Sequence, residues 1–388
     1  MQLEWATAVA EPPENWLRRG LKAIGPLRKL VRLLKRTRDR YRISVWTLSG
    51  LEHVTQQPIS VFYSGQIENC NYLARVVFGD GRYASAPRRM WIGSVMRLLT
   101  KPTSPYSLIF LQLDRLPSHL AATQRYFVIP SWAAGEIDVA RALERCKTNA
   151  SIKTDLRHIR RNGLTYRTTV DSDEIERFYA TMYLPTVKQA HSDCAFVTTL
   201  EELKREAGSL QLLLVEQNGD PIAGVCLGTR DRRRLDALEL GVANGNRELL
   251  KLGALAATYY YTLLYASENA YPTVYLGGAR AFLRDGPLQY KRKWGLSITG
   301  RLPSMPELFV FQPRLASPAT AAFLVNNPFI YQDGDVFRGA VFLDGDSARD
   351  GDVAELPKTY GIGGLRGVSV FRIDRASGTL QADERNVR

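Results

Sequence analysis

Between residues 165 and 276 the apolar positions change period in a definite order. Residues 165–170 alternate and predict a strand, and 172–189 and 199–207 carry helical spacing. Two β-rich runs follow, 210–217 and 221–229, separated by Asn218-Gly219-Asp220, a hairpin turn signal. Residues 234–241 predict a third strand, and a Gly/Asn-rich loop over 243–247 leads into a long helix over 249–268. A short β-prone run, 273–276, ends in Gly277-Gly278. A polar loop with Arg280, Arg284, Asp285 and Gly286 comes next, then a helix over 287–294 that Gly295 ends.

Upstream, residues 41–130 read as strand-rich, with strands at 43–48, 58–63, 71–78 and 107–113, a Gly79-Asp80-Gly81 turn, a loop at 101–105 and a helix at 91–99. Residues 137–161 read as helix, broken near 148–151 and capped by Asn162-Gly163. Beyond Arg301, apolar runs at 308–311, 321–325, 336–343 and 367–371 predict a strand-bearing extension against the second domain, interrupted by an acidic loop at 344–355. The expected division is a basic segment 1–42, an α/β domain 43–145, a second α/β domain 146–302 and an extension 303–388.

A chain of 388 residues with 45% apolar content has enough material for two cores and excludes a mostly disordered protein. Cys70, Cys146, Cys194 and Cys226 have no paired spacing, which argues against a disulfide framework or zinc knuckle and for a reducing, cytoplasmic setting. The first residues carry early acids and prolines with no apolar signal core. The uncharged run 252–267 is shorter than the roughly 20 residues of a membrane span, so a soluble protein is expected.

The net charge of +13 is concentrated. Residues 16–42 hold eleven Lys/Arg and one acid, a balance of +10, leaving +3 for the rest. Leu27, Leu30, Val31 and Leu34 give that segment an apolar stripe among its cations. It reads either as an amphipathic helix docked on an anionic partner (a carrier protein, an acidic leader peptide, a membrane surface or tRNA) or as a packed helix with a solvated face.

Two blocks carry a resemblance. Residues 275–295, YLGGARAFLRDGPLQYKRKWG, match a strand ending in glycine, a short loop and a Tyr/Phe-Lys-x-x-Trp/Phe-Gly block. Residues 151–183 match a basic Arg-rich helix, a Gly turn, a strand and a helix ending Phe-Tyr-x-x-Met-Tyr. Together they resemble the Fem-type (FemAB-like) branch of the GNAT acyltransferase superfamily over about residues 150–300. The resemblance implies an α/β, GNAT-like fold, in two GNAT-like halves with mixed, mostly antiparallel sheets flanked by helices. It also implies an N-acyltransferase drawing on acyl-CoA or an acyl-carrier protein, with an amine of a peptide or metabolite as acceptor and no metal. The β-β-β-loop-helix-β order is that of a GNAT core, whose helix N-terminus receives the phosphates of the donor.

The candidate residues follow from that placement. Lys251, Leu252, Gly253 and Ala254 open the long helix, where unpaired N–H groups and the helix dipole favour phosphate. Only Gly253 of the family's glycine loop is retained, with Glu248 at its first position. Arg280 and Lys293 are further cations for the donor. Glu239 stands where the family's glutamate removes the ammonium proton, although the alternation around it leaves open whether it faces a site or solvent. The resemblance gives Lys291 an oxyanion-stabilising role, and Tyr290 a hydrogen bond or a place along the acyl channel. Asp285 suits an N-cap, a base or an arginine partner. His191 is a possible base bordering the acceptor site or a plain surface histidine.

Four tyrosines on the long helix (259, 260, 261 and 265) and the missing glycine suggest a donor larger than acetyl, such as fatty acyl. Two other readings stand beside this one. The first is an aminoacyl-tRNA-dependent enzyme, in which the basic segment meets RNA phosphates. The second is a non-catalytic binding module on a degenerate fold.

Overall fold

The computed structural model describes residues 42–101, 104–114, 126–191, 196–207, 210–231, 233–315, 317–345 and 350–382. The basic segment therefore lies outside the described residues except for Arg42, which begins the first strand. The chain divides into two compact units, 1–45 with 88–102, and 46–87 with 103–388.

The strands are β1 (Arg42–Leu51), β2 (Pro58–Ser64), β3 (Tyr83–Trp91), β4 (Leu108–Leu113), β5 (Phe127–Pro130), β6 (Ala133–Asp138), β7 (Leu164–Thr169), β8 (Leu210–Gln217), β9 (Asp220–Asp231), β10 (Arg234–Val242), β11 (Thr273–Ala279), β12 (Ser297–Arg301), β13 (Leu308–Pro313), β14 (Phe329–Asp333), β15 (Val336–Asp344), β16 (Val368–Asp374) and β17 (Thr379–Ala382). The helices are α1 (Ile67–Phe78), α2 (Ile92–Thr100), α3 (Val139–Thr148), α4 (Ala150–Arg161), α5 (Ser172–Phe178), α6 (Leu184–His191), α7 (Leu200–Ala207), α8 (Arg247–Lys251), α9 (Ala254–Glu268), α10 (Gly286–Lys293), α11 (Pro318–Asn326) and α12 (Asp350–Tyr360). A π-helical turn, Tyr179–Tyr183, joins α5 to α6.

In the smaller unit the described residues form α2 and the ends of β1 and β3, with Val95 and Leu99 buried. In the larger unit three mixed, mostly antiparallel sheets are flanked by helices. Their orders are β3-β1-β2-β4-β13-β5, β12-β6-β11-β10-β9-β8-β7 and β14-β15-β16-β17, with β1 and β3 running across the division between units. The seven-stranded sheet is antiparallel except for β10 beside β11. That pair is joined through α9, which packs on the sheet with Ala254, Ala257, Leu263 and Ala266 buried. This is the strand–helix–strand order expected from the sequence. Asn218 and Gly219, at φ 53° and 86°, make the expected tight turn of the β8–β9 hairpin.

Several readings change. Residues 71–78, taken as strand, are helix α1: Cys70, Leu73, Ala74, Val77 and Phe78 are buried at i, i+3, i+4, i+7 and i+8, and the Val-Val pair had masked that period. The long helix does not begin at 249. Short α8 stops at Lys251, and Gly253 takes a left-handed conformation, φ 96°, as the N-cap of α9. The apolar run 321–325 belongs to α11, and residues 350–355 of the acidic loop belong to α12. Residues 137–138 end a strand, β6, before α3 starts.

The sheets also cut across the expected boundaries. β6 precedes 145 yet lies in the seven-stranded sheet, while β13, beyond 302, lies between β4 and β5 in the six-stranded one. No local pattern could show this, because strand order is set by contacts distant in sequence.

Candidate active site at the parting of two parallel strands

Strands β10 and β11 pair only at Arg234↔Thr273, Leu235↔Val274 and Asp236↔Tyr275. Past that point each carries an irregularity against its other neighbour: β10 between Ala237 and Leu240, β11 between Tyr275 and Gly278. Bulges re-aim side chains and strengthen local twist, so the two strands part here. Gly277, at φ 65°, turns the β11 backbone at the same level.

Lys291 reaches this point from α10. Its Nζ donates to the Leu276 carbonyl at 2.6 Å and the Gly278 carbonyl at 2.7 Å. Asp285 caps α10 by accepting from the Leu288 N–H, Pro287 sits in the first turn, and Gly295, at φ 102°, follows the helix. Burial lowers the Lys291 pKa to about 8, against the pull of Glu239 and Asp285 in the other direction.

The β10 bulge settles the face of Glu239. Leu235, Ala237 and Leu240 pack into the main core, whereas Leu238 packs with the cluster of Phe178, Met182 and Tyr183. Glu239 Oε1 accepts from Thr198 Oγ1 at 2.6 Å, while the Tyr183 hydroxyl accepts from the Thr198 N–H and Tyr179 donates to the Thr198 carbonyl. Burial first, then the Glu239 charge, pushes the Tyr183 hydroxyl and the Cys226 thiol upward. The π turn over Tyr179–Tyr183 brings both rings to this carboxylate. At Gly241 an added Cβ would come within 2.5 Å of Met182 backbone, which shows how closely the turn lies on β10. Such turns often mark functional positions.

Asp285 extends the network. Burial raises its pKa against the opposing effects of the Leu288 N–H, Arg280, Tyr72 and Lys291. Tyr72 donates to its Oδ1 at 3.3 Å. Arg280, read as a donor-binding cation, is instead buried between the Tyr72 and Trp132 rings, 4.2 and 4.1 Å from their centroids, and donates to Asn69 Oδ1 at 2.5 Å. Trp132 and Asn69 are remote in sequence from the two family-like blocks, so only the fold reveals them as partners.

A second recess, of about 250 Å³, opens at the start of α9. Asp155 and His158 of α4, Leu250, Lys251, Gly253 and Tyr290 line it. Lys251 is exposed and paired to Glu248 at 2.7 Å; Leu252 gives its carbonyl to Asn162 Nδ2 at 2.8 Å; Ala254 is buried. Lys293, ion-paired to Asp155, lies 5.5 Å from the Tyr290 ring centroid. The fold thus brings Tyr290, Lys251, Gly253 and Lys293 around the recess, and Glu239 and Lys291 to the strand parting. Adjacent residues Tyr290 and Lys291 join the two. His191 closes α6, and its side chain lies outside the described residues.

The α9 tyrosines are taken up by packing. Tyr259 stacks on Trp294, Tyr261 stacks on Tyr166 and donates to the Leu164 carbonyl, and Tyr265 donates to Gln211. They carry no information about donor size. Among the described residues no helix is long and apolar enough to cross a membrane, and no three His, Cys, Asp or Glu side chains group as metal ligands.

No family model matches this sequence, and no curated protein matches it. Among solved structures, L-PGS from Bacillus licheniformis is similar at 12% identity and a TM-score of 0.31, over 57% of this chain and 62% of that one, less than two thirds of its length. FemX is similar at 12% identity and a TM-score of 0.35, over 66% of this chain and 82% of that one. A tandem GNAT protein from the clavulanic acid biosynthesis pathway is similar at 12% identity and a TM-score of 0.28, over 53% of this chain and 63% of that one.

Proposed function

We propose that the chain is a GNAT-type N-acyltransferase that moves an acyl group from a CoA or carrier-protein thioester to an amine of a peptide or metabolite. One observation carries this reading: a cation, Lys291, and a carboxylate, Glu239, are both held where two parallel strands part, beside a helix start that can meet phosphate. A parting of this kind exposes backbone groups that a pantetheine arm can pair with, while the α9 start and Lys251 face its phosphate.

In this reaction the amine loses a proton to Glu239 and attacks the thioester carbon. The C–N bond forms, the C–S bond breaks, and the departing thiolate takes the second proton that the attacking nitrogen gives up, the first remaining on Glu239. Two N–H groups of Lys291 are occupied by β11 carbonyls, which fixes the ammonium and leaves one N–H for the oxygen that gains charge. Tyr290, half-buried and edge-on to Tyr259, forms the wall between the recess and this point.

Free-thiol release from acyl-CoA and acyl-carrier donors, measured with and without an amine mixture, tests the reading, with aminoacyl-tRNA as the parallel donor. Amine-dependent thiol release supports it. Transfer from aminoacyl-tRNA alone overturns the thioester donor, and no transfer from any donor overturns the enzyme.

A further inference from the structure

Helix α4 has two unlike faces. Ile152 and Ile159 are buried, and Asp155 and His158 turn toward the recess at α9. Lys153, Arg157, Arg160 and Arg161 are exposed, and at i, i+4, i+7 and i+8 they form a stripe about 12 Å long. The one acid of α4, Asp155, is neutralised by Lys293. Among the described residues no carboxylate pairs with the four stripe cations, so the helix presents them unopposed to solvent. On the recess side of α4, α8 carries Leu250, 43% exposed, between Arg247 and Lys251, the latter paired to Glu248.

We propose that α4 and α8 dock an acidic helix of an acyl-carrier protein, which delivers the donor arm into the recess at Gly253. The proposal rests on the transferase reading and names its donor's source. The chemistry favours a protein over a nucleic acid in one respect. An exposed leucine, Leu250, next to charged side chains offers the apolar anchor and charged rim of a protein contact. Sequence-tolerant nucleic-acid binding uses exposed aromatic platforms, and α3, α4 and α8 contain no Phe, Tyr or Trp. A linear stripe on one helix also matches the single row of carboxylates that an acidic helix displays. The acyl chain then has only the width of the recess to cross before reaching Tyr290 and Lys291.

The test is calorimetric binding of a purified bacterial acyl-carrier protein, in its apo form without the arm, to the full chain at low and moderate salt. Controls are a double-stranded RNA of about 20 base pairs and vesicles containing anionic lipid. The expected result is carrier binding that weakens with salt and falls at least tenfold in the Arg157→Glu/Arg161→Glu variant, with a smaller loss in Leu250→Asn. The circular dichroism spectrum stays that of the wild type, since both arginines are exposed. Turnover of a free acyl-CoA by the arginine variant stays within twofold. Undiminished carrier binding in the arginine variant overturns the proposal, as does arginine-dependent binding of RNA or vesicles that exceeds carrier binding. If apo-carrier binding shows the expected arginine dependence and no donor supports transfer, the docking surface stands and the transferase reading falls.

Discussion

Lys291 shows how one side chain serves both structure and chemistry. Its ammonium takes two carbonyls at the irregularity of β11, in surroundings that lower its pKa to about 8. Lys291→Met is expected to lower kcat about a hundredfold, the loss of roughly 3 kcal/mol seen when one oxyanion donor is removed. The wild-type rate should fall as pH rises through about 8, where the cation is lost, and this alkaline limb should vanish in the variant. Stability runs the other way. The unfolded lysine titrates near 10.5, so between about 8 and 10.5 the unfolded state holds the extra proton and wild type gains stability with pH. Urea titrations across that range should show a wild-type slope up to about 1.4 kcal/mol per pH unit steeper than that of the variant. Glu239→Gln addresses the base: it should lower kcat about a hundredfold, and turnover equal to wild type would make Glu239 structural.

At the scale of elements, the break between α8 and α9 decides where phosphate can be met. A side chain at Gly253 would have to adopt φ 96° with its Cβ 3.3 Å from His158 Cβ. Gly253→Val should cost about 1–3 kcal/mol of stability through backbone strain and raise the donor KM at least tenfold, with the acceptor KM nearly unchanged. Lys251→Glu should raise the donor KM without the stability loss, because Lys251 is exposed and pairs with Glu248 on the surface. Equal donor binding by wild type and both variants in calorimetry would place the donor away from α9.

At the scale of the molecule, the six- and seven-stranded sheets share a buried polar seam. Arg280, just past β11, meets Asn69 and Tyr72 of α1; Asn69 in turn donates to Gln112 Oε1 on β4, which also receives Tyr63 and the Gln66 N–H. Removing Arg280 takes the guanidinium away from the buried Asn69 Oδ1 and from between the Tyr72 and Trp132 rings. Arg280→Ala should therefore destabilise the protein by about 3–5 kcal/mol, far beyond the effect of a surface arginine. Thermal unfolding of the variant followed by fluorescence should show a markedly lower midpoint, and an unchanged midpoint would mean that the sheets do not depend on this seam.

The sequence determined the elements whose signals are local. The Asn218-Gly219 turn, the Asp285 cap with Pro287 behind it, and the break between α3 and α4 at Asn149 were legible because each depends on backbone conformation or on hydrogen bonds within a few residues. The run of strands, helix and strand from 210 to 276 was legible for the same reason. The tertiary structure alone decided that β6 and β13 exchange sheets relative to the chain's apparent domains, and that Arg280 is sandwiched by Trp132 and Tyr72 instead of facing a donor. It alone turned Glu239 toward Thr198, because a bulge shifts side-chain direction by one residue without altering the apolar pattern. Strand order, bulges and buried ion partners are set by contacts between residues far apart in the chain, where the packing of the whole outweighs any local preference.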